Sequence, residues 1–260
     1  MLTGKTAIIT GANRGIGLAT VEVFAEQGAV IWACARKNSD EFEDKIKEIT
    51  NKNGTIIKPV YFDVTDEAAV KDTVKMIGRE SKSIDILVNN AGVSIERLFS
   101  MTSIDMVRET MEVNFLSQVY LSQLVARYMM KARAGSIVNV ASVAGMESEQ
   151  GGTAYGSSKA AVIFSSKTMA LELGAYGIRV NTVSPGFIET DMWKARKQEI
   201  KDKILSETPL RRQGTPREVA NAILFLASDM SSYITRQNIV IDGGRNSGGG
   251  VADIKYLLEI

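Results

Sequence analysis

Short runs rich in valine and isoleucine alternate with longer helical patterns along almost the whole chain, and this alternation restricts the fold more than any single motif. The runs are "TAIIT", "AVIWACA", "TIIKPVYF", "IDILVNN", "SIVNVAS", "IRVNTVSP" and "QNIVIDGG". Helical patterns between them cover Ile16 to Gln27, Asp40 to Thr50, Asp66 to Arg79, Ile104 to Ala132, Ala154 to Leu173 and Thr215 to Ala227, with a looser segment after "IRVNTVSP". Buried strands need cover on both faces, and helices that join successive parallel strands supply it through right-handed crossovers. The expected fold class is therefore α/β: a single doubly wound domain with a mainly parallel seven-stranded sheet. Only four prolines occur and no Gly/Ser linker divides the chain before residue 243. One domain is expected over 1–244, with 245–260 as a tail that runs from a glycine-rich hinge into the apolar "VADIKYLLEI".

Charge and composition exclude several classes of partner. The 31 basic and 30 acidic residues nearly cancel, so no global field gathers nucleic acid or an anionic membrane. No apolar run approaches the ~18 residues of a membrane span. Neither nucleic acid nor membrane is expected as a partner, and no metal site is expected. The segment "MLTGKTAIIT" lacks a long apolar leader, and the single cysteine, Cys34, cannot form an internal disulfide; the expected location is cytoplasmic. Histidine is absent altogether, which removes the usual proton carrier near neutral pH.

"TGANRGIG", Thr10 to Gly17, stands between the first strand and the first helix. Its glycines permit a sharp turn and close approach of backbone to ligand, and the helix N-terminus offers N–H groups and positive dipole to a pyrophosphate. Ligands of doubly wound sheets bind at the carboxyl ends of the strands. A dinucleotide is expected here, against Gly11, Asn13, Arg14, Gly15, Ile16 and Gly17.

A second stretch, "GGTAYGSSKAAVIF", supplies the proton chemistry that histidine cannot. Tyr155 and Lys159 are four apart, so on a helix they share a face. A free phenol with a pKa of about 10 is a poor base at neutral pH, but a lysine ammonium and a positive ligand ring both favour the tyrosinate. Ser142, at the end of the fifth strand, can hold a carbonyl oxygen with its hydroxyl. Taken singly, each has a plain structural alternative: a ring packed beside a solvated ammonium, a turn serine, and for Asn114 a capping or core amide.

These features stand in one order: "TGANRGIG", "DV" at Asp63 and Val64, "NNAG" from Asn89 to Gly92, Asn114 in "EVNF", Ser142 in "VASVAG", "YGSSK", and "SPGFIETDM" from Ser184. In that order and spacing, over residues 3 to 244, the chain resembles the short-chain dehydrogenase/reductase family. Its strongest likeness within the family is to 3-oxoacyl-(acyl carrier protein) reductases, through "SPGFIETDM", "RRQGTP" and "FLASDMSSYIT". The resemblance implies a Rossmann-like fold and a catalytic set of Asn114, Ser142, Tyr155 and Lys159, with Asn114 anchoring a water that links Lys159 to solvent. It also implies that Asp63 and Val64 flank an adenine, that Asn90 and Ala91 lie along the cofactor, and that Gly92 lets the chain approach a ribose. Pro185, Gly186, Ile188 and Thr190 would hold the nicotinamide amide and diphosphate, and Tyr155 and Lys159 would touch the cofactor as well. Relatives pair helices equivalent to Ile104 to Ala132 and Ala154 to Leu173 across a twofold axis, so a homotetramer is implied. Substrate would lie under a lid from Glu189 to Pro209 that contains Trp193. An acidic carrier would dock on basic residues beside the mouth; Arg133 is one candidate, while Tyr176 stands where a second base is often found.

Cofactor choice is read at the end of the second strand. An NAD-selective site places a carboxylate there to bind the ribose 2′-hydroxyl; this chain has Ala35, followed by Arg36 and Lys37, with Arg14 in the phosphate loop. Two guanidinium groups suit a 2′-phosphate. The expected protein is an NADP(H)-dependent reductase of a small-molecule or carrier-bound carbonyl, with a 3-oxoacyl thioester as first substrate and a sugar or other hydroxylated metabolite as second. A catalytically silent NADP-binding sensor or scaffold is the alternative of another class, against which the intact catalytic set argues.

Overall fold

Strands β1 (Thr6–Thr10), β2 (Val30–Ala35), β3 (Ile57–Tyr61), β4 (Ile86–Asn89), β5 (Gly135–Val140), β6 (Ile178–Pro185) and β7 (Asn238–Ile241) form one sheet in the order β3-β2-β1-β4-β5-β6-β7. The computed structural model describes residues 1–148, 150–190 and 198–245; Trp193 and nearly all of the expected tail lie outside them. Every strand pairing is parallel. The chain direction across the sheet reverses between β1 and β4, so the loops leaving these two strands diverge and open a crevice between them.

All five residues of β1 are buried, which is the signature of a strand covered twice. Ile9 packs with Phe24 and Val21 of α1 (Gly15–Glu26) and Ile223 of α8 (Pro216–Ala227) on one face. Ile8 packs on the other with Val74 and Ile77 of α3 (Glu67–Glu80) and Leu121 and Val125 of α5 (Ser117–Ala132). The remaining helices are α2 (Asp40–Asn53), α4 (Ile104–Met111), α6 (Thr153–Leu173) and α7 (Gln198–Glu207), the last occupying part of the segment that reads as loose in the sequence.

Local signals fix the helix ends. The Ser39 hydroxyl accepts from the Phe42 N–H, and Gly54 in the left-handed region stops α2. Thr215 and Glu218 form a reciprocal capping box with Pro216 in the first turn of α8. One expectation is altered: the helix predicted over 104–132 is interrupted by a π-turn at Glu112–Leu116 between α4 and α5. That turn inserts an extra residue into the helical path and carries Asn114 fully into the interior.

Candidate active site

The loop after β1 is built on contact between glycines. A Cβ at Gly17 would lie 2.0 Å from the Gly11 carbonyl oxygen and 2.6 Å from the Asn90 Nδ2, so only glycine lets the start of α1 pack under the turn. Gly11 and Gly15 are both in the left-handed region, at φ 63° and 54°. Asn90 Nδ2 donates to the Thr10 and Gly11 carbonyls at 3.0 and 3.1 Å. The Thr10 hydroxyl accepts from the N–H groups of Asn90 and Ala91, both at 3.0 Å. Together these bonds lock the β1 loop to the β4 loop.

A cleft of about 1440 Å³ runs along the carboxyl ends of the strands. Gly11, Asn13, Arg14, Gly15 and Ile16 form one stretch of its wall, followed by Arg36 after β2 and by Asp63 and Val64 after β3. Asn90, Ala91 and Gly92 come from β4, Ser142, Tyr155 and Lys159 from β5 and α6, and Pro185, Gly186, Ile188 and Thr190 from β6 and the turn beyond it. Gly17 and Asn114 are the two predicted site residues outside the lining; each lies behind the wall and shapes it. Asp63 accepts from the N–H and hydroxyl of Thr65 at 3.0 and 2.8 Å. Those bonds, helped by the charge of Arg36, hold its carboxyl below the usual range.

Ser142, Tyr155 and Lys159 meet at the inner end of this cleft. Ser142 opens a short 3₁₀ turn after β5, its hydroxyl accepting from the Ala144 N–H at 3.2 Å, and Tyr155 lines the same end of the cleft. The turn can seat on α6 because it carries Gly145 and α6 carries Gly156: a Cβ on Gly145 would reach the Lys159 carbonyl carbon at 2.6 Å, and one on Gly156 the Ala144 carbonyl oxygen at 2.7 Å. Lys159 is 4% exposed; its Nζ donates to the Val140 carbonyl at 2.9 Å and sits 5.8 Å from the centroid of the Tyr155 ring. Burial lowers the ammonium pKa to about 8. The phenol moves the other way from the sequence expectation: burial raises its pKa, the neighbouring Ser142 hydroxyl partly opposes this, and the Glu96 carboxylate adds to the rise. Without a bound positive ring, the protein keeps Tyr155 protonated.

Asn114 is held by three hydrogen bonds. Its Oδ1 accepts from the Val93 N–H at 2.8 Å, and its Nδ2 donates to the Val93 carbonyl at 2.9 Å and to the Ser158 hydroxyl at 3.0 Å. Ser158 in turn donates to the Tyr155 carbonyl at 2.7 Å. Sequence reasoning gave no role to Ser158, to the Thr10 hydroxyl or to the Val140 carbonyl; for the first two, a polar residue inside a quoted motif is the only signal.

Arg133 is placed differently from the sequence expectation. It precedes β5, whose far end meets Lys159, so within one chain it stands at the opposite end of the strands, roughly 20 Å from the cleft. Its guanidinium donates to the Ala175 carbonyl at 2.8 Å and lies over the Tyr176 ring. Among the described residues there is no group of three or more His, Cys, Asp or Glu able to hold a metal, and no helix is long and apolar enough to cross a membrane.

Comparison with known proteins agrees with this arrangement. A family model described as enoyl-(acyl carrier protein) reductase matches residues 11–246. The 3-oxoacyl-[acyl-carrier-protein] reductase of Chlamydia pneumoniae is 42% identical over 94% of this chain and 97% of its own length. Two solved structures superpose closely. A short-chain type dehydrogenase/reductase from Mycobacterium ulcerans gives a TM-score of 0.91 at 30% identity, covering 99% of this chain and 95% of its own. A 7α-hydroxysteroid dehydrogenase complexed with NADH and a 7-oxo bile acid gives 0.89 at 38% identity, covering 94% of each chain. With the cleft, the ordered motifs and these matches in agreement, the chain belongs to the short-chain dehydrogenase/reductase family.

Proposed function

We propose that this chain uses NADPH to reduce the carbonyl of a carrier-bound 3-oxoacyl thioester, with residues 1–244 as the binding and catalytic domain. The observation that carries the reading is the meeting of Tyr155 and Ser142 beside a buried Lys159 at the inner end of a cleft long enough for a dinucleotide. The substrate class rests on the 42% identical reductase from Chlamydia pneumoniae, whose name specifies it.

The cleft suits the cofactor on its own terms. The glycine turn leaves backbone N–H groups at the start of α1 for the diphosphate. Ala35 puts no carboxylate at the end of β2, and Arg14 and Arg36 line the same end of the cleft, where a 2′-phosphate would take charge-assisted bonds. When bound, NADPH supplies a hydride to the carbonyl carbon.

The protein's part is to hold the oxygen and deliver a proton. Ser142 donates to the carbonyl oxygen while Tyr155, kept protonated by burial, gives its phenolic proton to the forming alkoxide. The Lys159 ammonium stabilises the resulting phenolate and is the donor from which the phenol is reprotonated. The water linking Lys159 to solvent would be held at the π-turn that carries Asn114. We further infer a cytoplasmic homotetramer, in keeping with the apolar residues exposed on α6 and at the π-turn.

The test is NADPH oxidation by purified protein with acetoacetyl thioesters of acyl carrier protein and of a simple thiol, beside a panel of sugars and cyclic ketones. Turnover of the thioesters is expected. Activity confined to the sugars or ketones overturns the substrate assignment, and no turnover of any carbonyl favours the sensor reading.

A further inference from the structure

Two buried amide oxygens behind the cofactor wall, Asn89 Oδ1 and Gln118 Oε1, have no hydrogen-bond partner among the described residues, although both residues are at most 5% exposed. Their orientation is set by the bonds around them. The Ser166 hydroxyl donates to the Val162 carbonyl at 2.6 Å and so must accept from the Asn139 Nδ2, which lies 2.8 Å away. That turns the Asn139 Oδ1 toward Asn89, whose Nδ2 donates to it at 2.8 Å and to the Ser122 hydroxyl at 2.9 Å. Flipping Asn89 would set two oxygens against each other, so its Oδ1 points away from this chain of bonds. Gln118 lies one turn before Ser122 on α5, and its Nε2 reaches the Ala91 carbonyl at 3.4 Å, which directs its Oε1 away from Ala91. Asn89 ends β4, and Ala91 follows two residues later on the turn that delivers Gly92 to the cleft.

From this we infer that Gln118 is a positioning residue, and that it and Asn89 share a buried water which fixes the Ala91–Gly92 turn against the bound cofactor. The chemistry selects water. Two neutral acceptors without donors cost the fold free energy, a cation would need a counter-charge that neither amide supplies, and a water gives one proton to each oxygen. The inference rests on the reading that the cleft takes a dinucleotide.

The test uses the full chain. A crystal structure of the wild type at 1.5 Å or better should show one ordered water within hydrogen-bond distance of both oxygens; an ordered core without it overturns the proposal. Gln118→Met, similar in volume but lacking both polar atoms, should raise the Kd and KM for NADPH about three- to tenfold, with a smaller change in kcat. Gln118→Glu, which sets a buried carboxyl oxygen against the Ala91 carbonyl in place of the donor, should weaken NADPH binding at least as much as Gln118→Met. Equal NADPH affinity in Gln118→Met and wild type, or a loss confined to kcat, also overturns it. A wild type that binds no NADPH would instead defeat the reading of the cleft, so the two failures are distinct. If Gln118→Met does not fold, the wild-type density and the Gln118→Glu titration still decide.

Discussion

The Lys159 ammonium stands 5.8 Å from the centre of the Tyr155 ring and spends its hydrogen bond on the Val140 carbonyl, 2.9 Å away. A charge is thus buried beside the phenol, and the fold bears its desolvation. With the ammonium pKa lowered from 10.5 to about 8, the unfolded chain between those values keeps a proton that the folded chain has released. The contribution of this group to stability therefore rises with pH from about 8 to 10.5, and below about 8 the folded protein carries the whole penalty. That penalty is on the order of 3 kcal/mol. Lys159→Met should raise the melting temperature at pH 7 by on the order of 5 °C, after allowing for the lost bond to Val140, while removing nearly all activity. Thermal melts at pH 7 and pH 10.5 check this: the gain should shrink at the higher pH.

Tyr155→Phe should leave NADPH affinity within twofold and lower kcat by a factor of about 100 or more, because the hydroxyl acts only as the proton moves. Fluorescence titration and single-turnover reduction separate the two quantities. A variant keeping more than a tenth of wild-type kcat would remove Tyr155 from its role.

Gly17→Ala should weaken NADPH binding and destabilise the fold together. The added methyl meets the Gly11 carbonyl oxygen at 2.0 Å, and overpacking of this kind costs about 1–3 kcal/mol. Denaturant unfolding with and without NADPH reads both effects; Gly54→Ala, where nothing lies within 4 Å of the new atom, should change stability alone.

Cofactor preference should exceed tenfold in kcat/KM for NADPH over NADH, since a well-placed charge-assisted bond contributes roughly 1.5–3 kcal/mol. The combination Ala35→Asp with Arg36→Ala should reverse it. A double variant that still favours NADPH would shift the selection to other residues.

Assembly is predicted to depend on α6. Phe164 and Leu171 are 76% and 62% exposed there, and Leu116 on the π-turn is 47% exposed, more apolar surface than a monomer ordinarily leaves on adjoining elements. Light scattering should give a tetramer for the wild type and a smaller species for Phe164→Glu. An unchanged mass for the variant would move the contact elsewhere.

The strand and helix alternation made the sheet legible, because strands buried on both faces must be apolar throughout, as β1 is. Tyr155 and Lys159 were legible because their pairing is local to one helix. What the sequence hid depends on distant partners. Thr10 meets Asn90 and Ala91 across some eighty residues, Asn114 meets Ser158 across 44, and Asn89 meets Asn139 across 50. Polar residues inside strand and helix patterns give no sign of such pairing until the topology brings the elements together. The π-turn was hidden for the same reason: 104–132 reads as one helix, and only the burial of Asn114 shows why it departs from regular winding. Arg133 illustrates the converse, since a residue implied by resemblance alone lies at the N-terminal end of the strands, away from the cleft, within its own chain.

The Thr10 hydroxyl, gripped by two N–H groups of the neighbouring loop, also bears on how fast and how tightly a nucleotide is captured. The two loops are joined through this oxygen and through the Asn90 amide, which holds them in one arrangement before any nucleotide arrives. A cofactor arriving there orders little protein, so this side of the cleft adds almost nothing to the entropy lost on association. Mutations that alter the shape of this part of the cleft are then expected at Thr10 and Asn90, whose bonds join the two loops.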